Sequence, residues 1–436
     1  MVSVVARSSR ARQTLAQTRD WLIRMRAGEK LFILSMCLIY ALHSIWLART
    51  VLWFLVLPVM LITAAPYRNL LPIAKSGVFI ASAVFLLLII GTSALGGETP
   101  WPMLLRNLRY FAAVVAFVAI VAQLVRGDGD FLRLLFLVLA PVAALAAIRD
   151  VVSFTGLSLE TLMTTRLQGV RGLTVYYNSN VIGMMFAMPC VGAAAVMASR
   201  RLRRWQFAML AASVLILLGA VVLTGSRGSL IAATVGIGVS ILSANWRLAA
   251  AIVALVAVAA AVTLLTPLAG ELLQRRDSLR LTLWPIYFDM AMLKPWLGYG
   301  LAFDTQRMLP DGTMVMNGHN IFLCAAVRGG VFSALALFGI VLASLVSALR
   351  AWLRRREILG LALLAVCLTA TTVDYEIIPT DLGYLYVLFW LPVGICLGAA
   401  LAEAPRGLSG RHAGAAGTAA DAAPTVTSHN RQPAGA

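Results

Sequence analysis

The chain has little charge. Asp, Glu, Lys and Arg make up 12% of its 436 residues, about half the roughly 25% of an ordinary soluble domain. Apolar residues make up 61%, and the mean hydropathy is +0.87; together these exclude a water-soluble globular protein. Acid is scarcer than base, 18 residues against 36, for a net charge of +18. A nucleic-acid binder would gather that excess on one soluble face, whereas here it is dispersed between apolar runs, so no nucleic acid is expected. The five cysteines, Cys37, Cys190, Cys324, Cys367 and Cys396, fall inside apolar runs with no paired spacing and read as small core residues. No H-E-x-x-H, P-loop or Gly-rich dinucleotide fingerprint occurs, so metal hydrolysis and nucleotide use have no support, and no cofactor is expected. No cleavable leader is expected either, because residues 1–30 carry seven Lys/Arg and no long apolar core with a small-residue cleavage site.

What is present is a series of twelve apolar stretches, near 31–47, 50–65, 74–94, 104–125, 131–148, 176–198, 205–223, 229–244, 247–266, 320–347, 357–373 and 382–402. Each is near the ~20 residues that cross ~30 Å of hydrocarbon as a helix. The expected fold is an all-α polytopic membrane protein of about twelve spans, with a basic segment at 1–30, a transmembrane domain at 31–402 and a disordered tail at 403–436. Two divisions rest on short polar breaks, at Ala48-Arg49-Thr50 and at Asn245-Trp246-Arg247. With a cytoplasmic N-terminus, the connections holding Arg68 and Lys75, Arg126 and Arg133, Arg200 to Arg204, Arg247, and Arg350 to Arg356 are also cytoplasmic. The positive-inside rule supports that orientation and puts both termini inside. Asp128-Gly129-Asp130, which resembles a metal-binding D-x-D, then falls in a cytoplasmic turn and reads as a linker.

The longest outward loops are 149–175 and 267–319. In the second, Arg276, Arg280, Trp284 and Tyr287 recur at helical spacing, so two short helices are expected against the membrane surface. Pro285 should kink or end the first near Trp284, and Pro295 with Gly298-Tyr299-Gly300 should end the second. Trp284, Tyr287, Trp296 and Tyr299 line a sugar path or, as the favoured reading, anchor the chain at the interface.

Several cations share this outer face: Arg166, Arg171, Arg227, Arg275, Arg276 and Arg280, together with His319. The other histidines are His43, in the first apolar run, and His412 and His429, in the tail. Three spans begin on that face, at Tyr176-Tyr177-Asn178-Ser179-Asn180, at Thr224 to Ser229 and at Asn317-Gly318-His319-Asn320. Unpaired N–H groups and positive dipole ends at such starts favour phosphate. A guanidinium fork can hold phosphate in two contacts, or the arginines can snorkel to headgroups. Gly225 and Gly228 would let the backbone at Arg227 approach a ligand. In the first turn of a helix His319 would be held neutral by the dipole, as a general base requires; capping or an interfacial position is its alternative use. Asp304, Asp311, Asp374, Glu376 and Asp381 also lie outside, as bases or as partners of the arginines.

In order, Arg166-Leu167-Gln168-Gly169, Asn178-Ser179-Asn180, Ser226-Arg227-Gly228, Arg280 with Trp284, Lys294-Pro295-Trp296-Leu297-Gly298-Tyr299-Gly300 and His319-Asn320-Ile321-Phe322-Leu323 resemble the O-antigen ligase and polymerase family, in its lipopolysaccharide O-antigen ligase branch. The resemblance covers roughly residues 160–345. The chain departs from the family's pattern where Asn178-Ser179-Asn180 replaces a common N-P-N, where Pro285 interrupts the loop helix, and where Arg328-Gly329-Gly330 stands in place of a frequent acidic residue. The resemblance implies transfer of a preassembled glycan from undecaprenyl diphosphate to lipid A-core at the periplasmic face of the bacterial inner membrane, inverting and without metal. It implies His319 and Arg227 as catalytic residues, and Arg166, Arg171, Arg280, Asn178, Asn180, Asn320 and Trp284 as substrate-binding residues, among membrane lipids. O-antigen polymerase, protein O-oligosaccharyltransferase and a non-catalytic transporter of the same lipid-linked glycan remain as alternatives. Charges at the span ends rather than the midplane favour an enzyme over a transporter.

Overall fold

The computed structural model describes residues 2–42, 44–64, 70–95, 99–127, 130–156, 158, 166–169, 178–199, 201–244, 280–309, 312, 314–315, 317–372 and 380–402. Arg171, Arg275, Arg276, Tyr176, Tyr177, His43, Asp128, Gly129, Asp311, Asp374, Glu376, the ninth apolar stretch, the break at 245–247 and the tail lie outside the described residues.

The fold is an all-α, multi-pass bundle. Its helices are α1 (Val2–Arg24), α2 (Ala27–Ala41), α3 (Trp46–Thr63), α5 after a short turn of helix α4 (Leu71–Ala74), and α5 itself spans Gly77–Leu95. They continue with α6 (Trp101–Gly127), α7 (Phe131–Thr155), α8 (Ser179–Ser199), α9 (Arg204–Leu223), α10 (Arg227–Ala244), α11 (Arg280–Leu293), α12 (Ile321–Arg355), α13 (Leu359–Thr371) and α14 (Tyr386–Ala402). Among the described residues, 7 helices are long and apolar enough to cross a membrane. Phe54, Leu145 and Leu215 are exposed on the flanks; such apolar surface is unfavourable in water and neutral in lipid.

Small residues set the directions of the helices by letting backbones approach. Gly329 and Gly339 of α12 face Ile89 and Ala81 of α5, so these two run antiparallel. Gly394 and Gly398 of α14 face Val121 and Val125 of α6, so these run parallel. Gly192, late in α8, meets Phe136, early in α7, while Gly183 and Gly236 pair α8 with α10 in parallel. Arg133 reaches Gln206 across the starts of α7 and α9, at 3.0 Å. Arg355 donates to the carbonyl of Ala399 at 2.8 Å, so α12 and α14 finish together. It follows that α6, α8, α10, α12 and α14 all start at one end of the bundle. Arg126, Arg133, Arg201, Arg203, Arg204, Arg350, Arg354 and Arg355 mark the other.

Three expectations change. The break at Ala48-Arg49-Thr50 is inside α3, and the turn comes earlier, between Ala41 and Trp46. Arg49 is tolerated there because it pairs with Asp381 at 3.1 Å, a partner far away in sequence. Pro285 neither ends nor divides α11. A proline there forgoes the bond its N–H would donate to the carbonyl of Leu281, and the helix runs on through it to Leu293. Over the described residues the two short helices expected on either side of Pro285 are one, and it ends at Leu293, before Pro295 as expected. The described part of the loop after it holds a turn and a two-stranded antiparallel hairpin, β1 (Arg307–Met308) with β2 (Met314–Val315).

The long helix α12 is broken at Gly330, with φ 71° and ψ −173°. The Pro295–Gly300 segment fills the break. Tyr299 and Gly300 donate their N–H groups to the carbonyls of Val327 and Arg328, each at 2.8 Å, and Val331 donates to Pro295 at 2.7 Å. A β-carbon on Gly330 would stand 2.0 Å from the carbonyl oxygen of Trp296. The Lys294 to Gly300 motif is thus a docking element for the outer loop. Leu301 adds a bond from its N–H to Ser93 Oγ of α5, at 2.7 Å.

Candidate active site

The first cluster joins three motifs distant in sequence. Arg166 donates from Nε to the carbonyl of Thr224 at 2.9 Å and from Nη2 to Asn180 Oδ1 at 3.1 Å. Leu167 donates its N–H to the carbonyl of Leu223 at 2.8 Å. The Ser229 hydroxyl lies 3.2 Å from the carbonyl of Asn180 and 2.9 Å from Ser226 Oγ. The starts of α8 and α10 are therefore stitched together by a guanidinium and a hydroxyl. The sequence places Arg166 and the Thr224 to Ser229 turn on one face but gives no individual role to Thr224 or Ser229. Arg227 is exposed and is the first residue of α10, just past the turn where it was expected.

Gly225 has φ +60°. Its missing side chain makes room for Arg166, whose Cγ would be 3.1 Å from a β-carbon there. The close approach at Gly225 is thus taken by this protein's own arginine.

The helix starts are also less open than expected. Asn178 Oδ1 accepts the N–H of Asn180 at 2.8 Å, and Ser226 Oγ is 3.3 Å from the N–H of Ser229. Asn320 Oδ1 accepts from Phe322 and Leu323 at 2.9 and 3.1 Å. Each start carries its own side-chain cap, so the positive dipole ends persist while part of the N–H supply is used. Asn320 acts as a cap here. The N-x-N and N-[IV] patterns before apolar runs were the available signals.

The second cluster surrounds His319. Because Asn320 is the cap, His319 precedes α12 rather than occupying its first turn, and it adopts a left-handed backbone with φ 47°. Its N–H is held by Asn317 Oδ1 at 2.9 Å. Behind this turn the Tyr287 ring packs on Gly318, 2.8 Å from a would-be β-carbon. Tyr287 is fully buried and donates its hydroxyl to the carbonyl of Thr305. It is therefore a core residue of the loop, not an interface anchor, whereas Trp296 is 65% exposed. Tyr299 stacks on Phe303 with centroids 4.1 Å apart, capped by Lys294 at one end and Arg307 at the other. Arg280 is the first described residue of α11, and Trp284 follows one turn later with its indole N–H buried and without an acceptor among the described residues. Arg328, which the sequence reading left without a role, is buried beneath the loop.

Both clusters lie at the end where α8, α10 and α12 begin. A multi-pass helical membrane protein with cations, amides and one histidine gathered at one end of its bundle is the class these features define. Residues 212–338 match the family model described as O-antigen ligase. That stretch agrees with the motif resemblance and contains Arg227, Arg280, Trp284 and His319; Arg166 and Asn178 to Asn180 precede it. The family is one of ligase- and polymerase-type membrane glycosyltransferases. Among curated proteins, nothing matches this chain.

Proposed function

We propose that the protein transfers a preassembled glycan from undecaprenyl diphosphate to lipid A-core, at the periplasmic face of the bacterial inner membrane. The observation that carries this reading is the Arg166 clasp across Asn180 and Thr224, at the end of the bundle that also holds His319. Among the described residues Nη1 of Arg166 takes no hydrogen bond, which leaves it for a ligand oxygen. The leaving group is a diphosphate. Guanidinium groups of Arg227, Arg166, Arg171 and Arg280, with the positive ends of three helix dipoles, can neutralise its growing charge without a cation.

In this reading His319 accepts the proton of the acceptor hydroxyl, whose oxygen attacks the anomeric carbon. The bond from that carbon to the phosphate oxygen breaks, the diphosphate departs with the electron pair, and the configuration inverts. Asn178, Asn180 and Asn320 shape the helix starts around the donor, and Trp284 offers its indole N–H to a ligand oxygen. Orientation follows from the arginines at the far end, which the positive-inside rule assigns to the cytoplasm. Twelve spans with both termini inside fit the alternation, since α10 ends at the far end and Arg280 lies at the near one.

The test is glycan transfer by purified protein from polyprenyl-diphosphate glycan to core lipid, with EDTA present. His319→Ala and Arg227→Ala should each lose about 10² to 10⁴ in rate. Undiminished transfer in both would refute the residue roles, and loss in the wild type on adding EDTA would refute the metal-free mechanism.

A further inference from the structure

Arg328 is 8% exposed and belongs to neither cluster. Its Nη1 donates to the carbonyls of Leu301 at 2.9 Å and Phe303 at 3.2 Å, and its Nη2 reaches Thr305 Oγ1 at 3.5 Å. Thr305 is itself buried and accepts the Tyr287 hydroxyl on its carbonyl. The Tyr287 ring in turn packs on Gly318, next to His319. A continuous line of contacts therefore runs from the break in α12, through the loop, to the turn that carries the histidine.

We infer that Arg328 is a positioning residue for His319. The inference rests on the proposed role of His319 as general base. A planar fork of fixed donors can satisfy acceptors in several directions at once, which a lysine ammonium on a flexible stem cannot reproduce. Arg328 thereby fixes Leu301 to Thr305, Thr305 fixes Tyr287, and Tyr287 sets the Asn317 to Asn320 turn. Removing the guanidinium leaves the buried Leu301 carbonyl without this donor, and the segment shifts to recover one. A displacement of about 1 Å at a reacting group costs on the order of 10² in rate.

The experiment compares full-length wild type with Arg328→Lys, Arg328→Met, Tyr287→Phe and the double variant Arg328→Met/Tyr287→Phe. It measures kcat, KM for the polyprenyl-diphosphate glycan, and amide hydrogen exchange over residues 317–323. Arg328→Met and Arg328→Lys should each lose roughly 10²-fold in kcat with KM for the donor little changed. Exchange over 317–323 should quicken, and the double variant should be no slower than Arg328→Met alone, because both changes cut one line of contacts. Unchanged exchange over 317–323, losses that multiply in the double variant, or a loss carried by KM would overturn the inference. If the wild type transfers no glycan, the transfer reading fails and the exchange result alone decides whether Arg328 holds the turn. Should Arg328→Met not fold, Tyr287→Phe and Thr305→Val decide the same question.

Discussion

Arg166 lies across Gly225, with its Nε 3.2 Å from where a β-carbon on that glycine would stand. The glycine's positive φ and the arginine's position are thus two parts of one arrangement. Gly225→Ala would add left-handed strain of about 1–2 kcal/mol and press Arg166 away from Thr224 and Asn180. Donor affinity, measured by binding of polyprenyl-diphosphate glycan, should weaken by about tenfold, near 1.4 kcal/mol. Unchanged affinity would mean that the clasp does not contribute to the donor site.

The break in α12 gives a sharp contrast between two glycines. A β-carbon on Gly330 meets backbone at 2.0 Å, whereas one on Gly339 first meets Ala81 at 4.0 Å. Gly330→Ala should therefore abolish or strongly reduce the folded, monodisperse fraction in detergent. Gly339→Ala should be neutral or stabilise by up to about 1 kcal/mol. Size-exclusion profiles and thermal unfolding of the two purified variants check this.

Asn320 was expected to touch substrate, and the structure shows it capping α12. Asn320→Ala should cost about 1 kcal/mol of stability, while Asn320→Asp keeps an acceptor and should keep most of the stability and activity. If Asp is as inactive as Ala although both fold, the side chain contacts substrate as well as the helix.

Trp284→Phe retains the apolar ring and removes an indole N–H that has no acceptor among the described residues. The variant should fold normally and bind the donor more weakly by a factor of a few, as expected for one neutral hydrogen bond of about 0.5–1.5 kcal/mol. Normal folding with unaltered donor binding would remove Trp284 from the site.

Much of this was legible in the sequence because bilayer thickness forces long apolar runs, and because arginine clusters mark their ends. The gathering of Arg166, Asn180 and Thr224 followed from span parity, which puts alternate helix starts at the same end. Arg49 was misread as a boundary because its partner, Asp381, is remote in sequence and no local period reveals it. His319 was put one position too deep, since Asn320 holds the cap and the chain arrives in a left-handed conformation. Arg328 stood out only as a departure from the family's pattern, with no role attached. Two of its acceptors are backbone carbonyls, which every residue type supplies, so no motif could announce them.

The account depends on the Arg166 and His319 ends facing the periplasm together, and accessibility labelling tests this most directly. Single cysteines at Gln168 and Gln306, both exposed beside the two clusters, and at Arg203, exposed at the far end, would be treated in intact cells with a membrane-impermeant maleimide. The expected result is labelling at Gln168 and Gln306 from outside, with Arg203 reacting only after the membrane is opened. Labelling at Arg203 with protection at the other two, or opposite behaviour of Gln168 and Gln306, would contradict it.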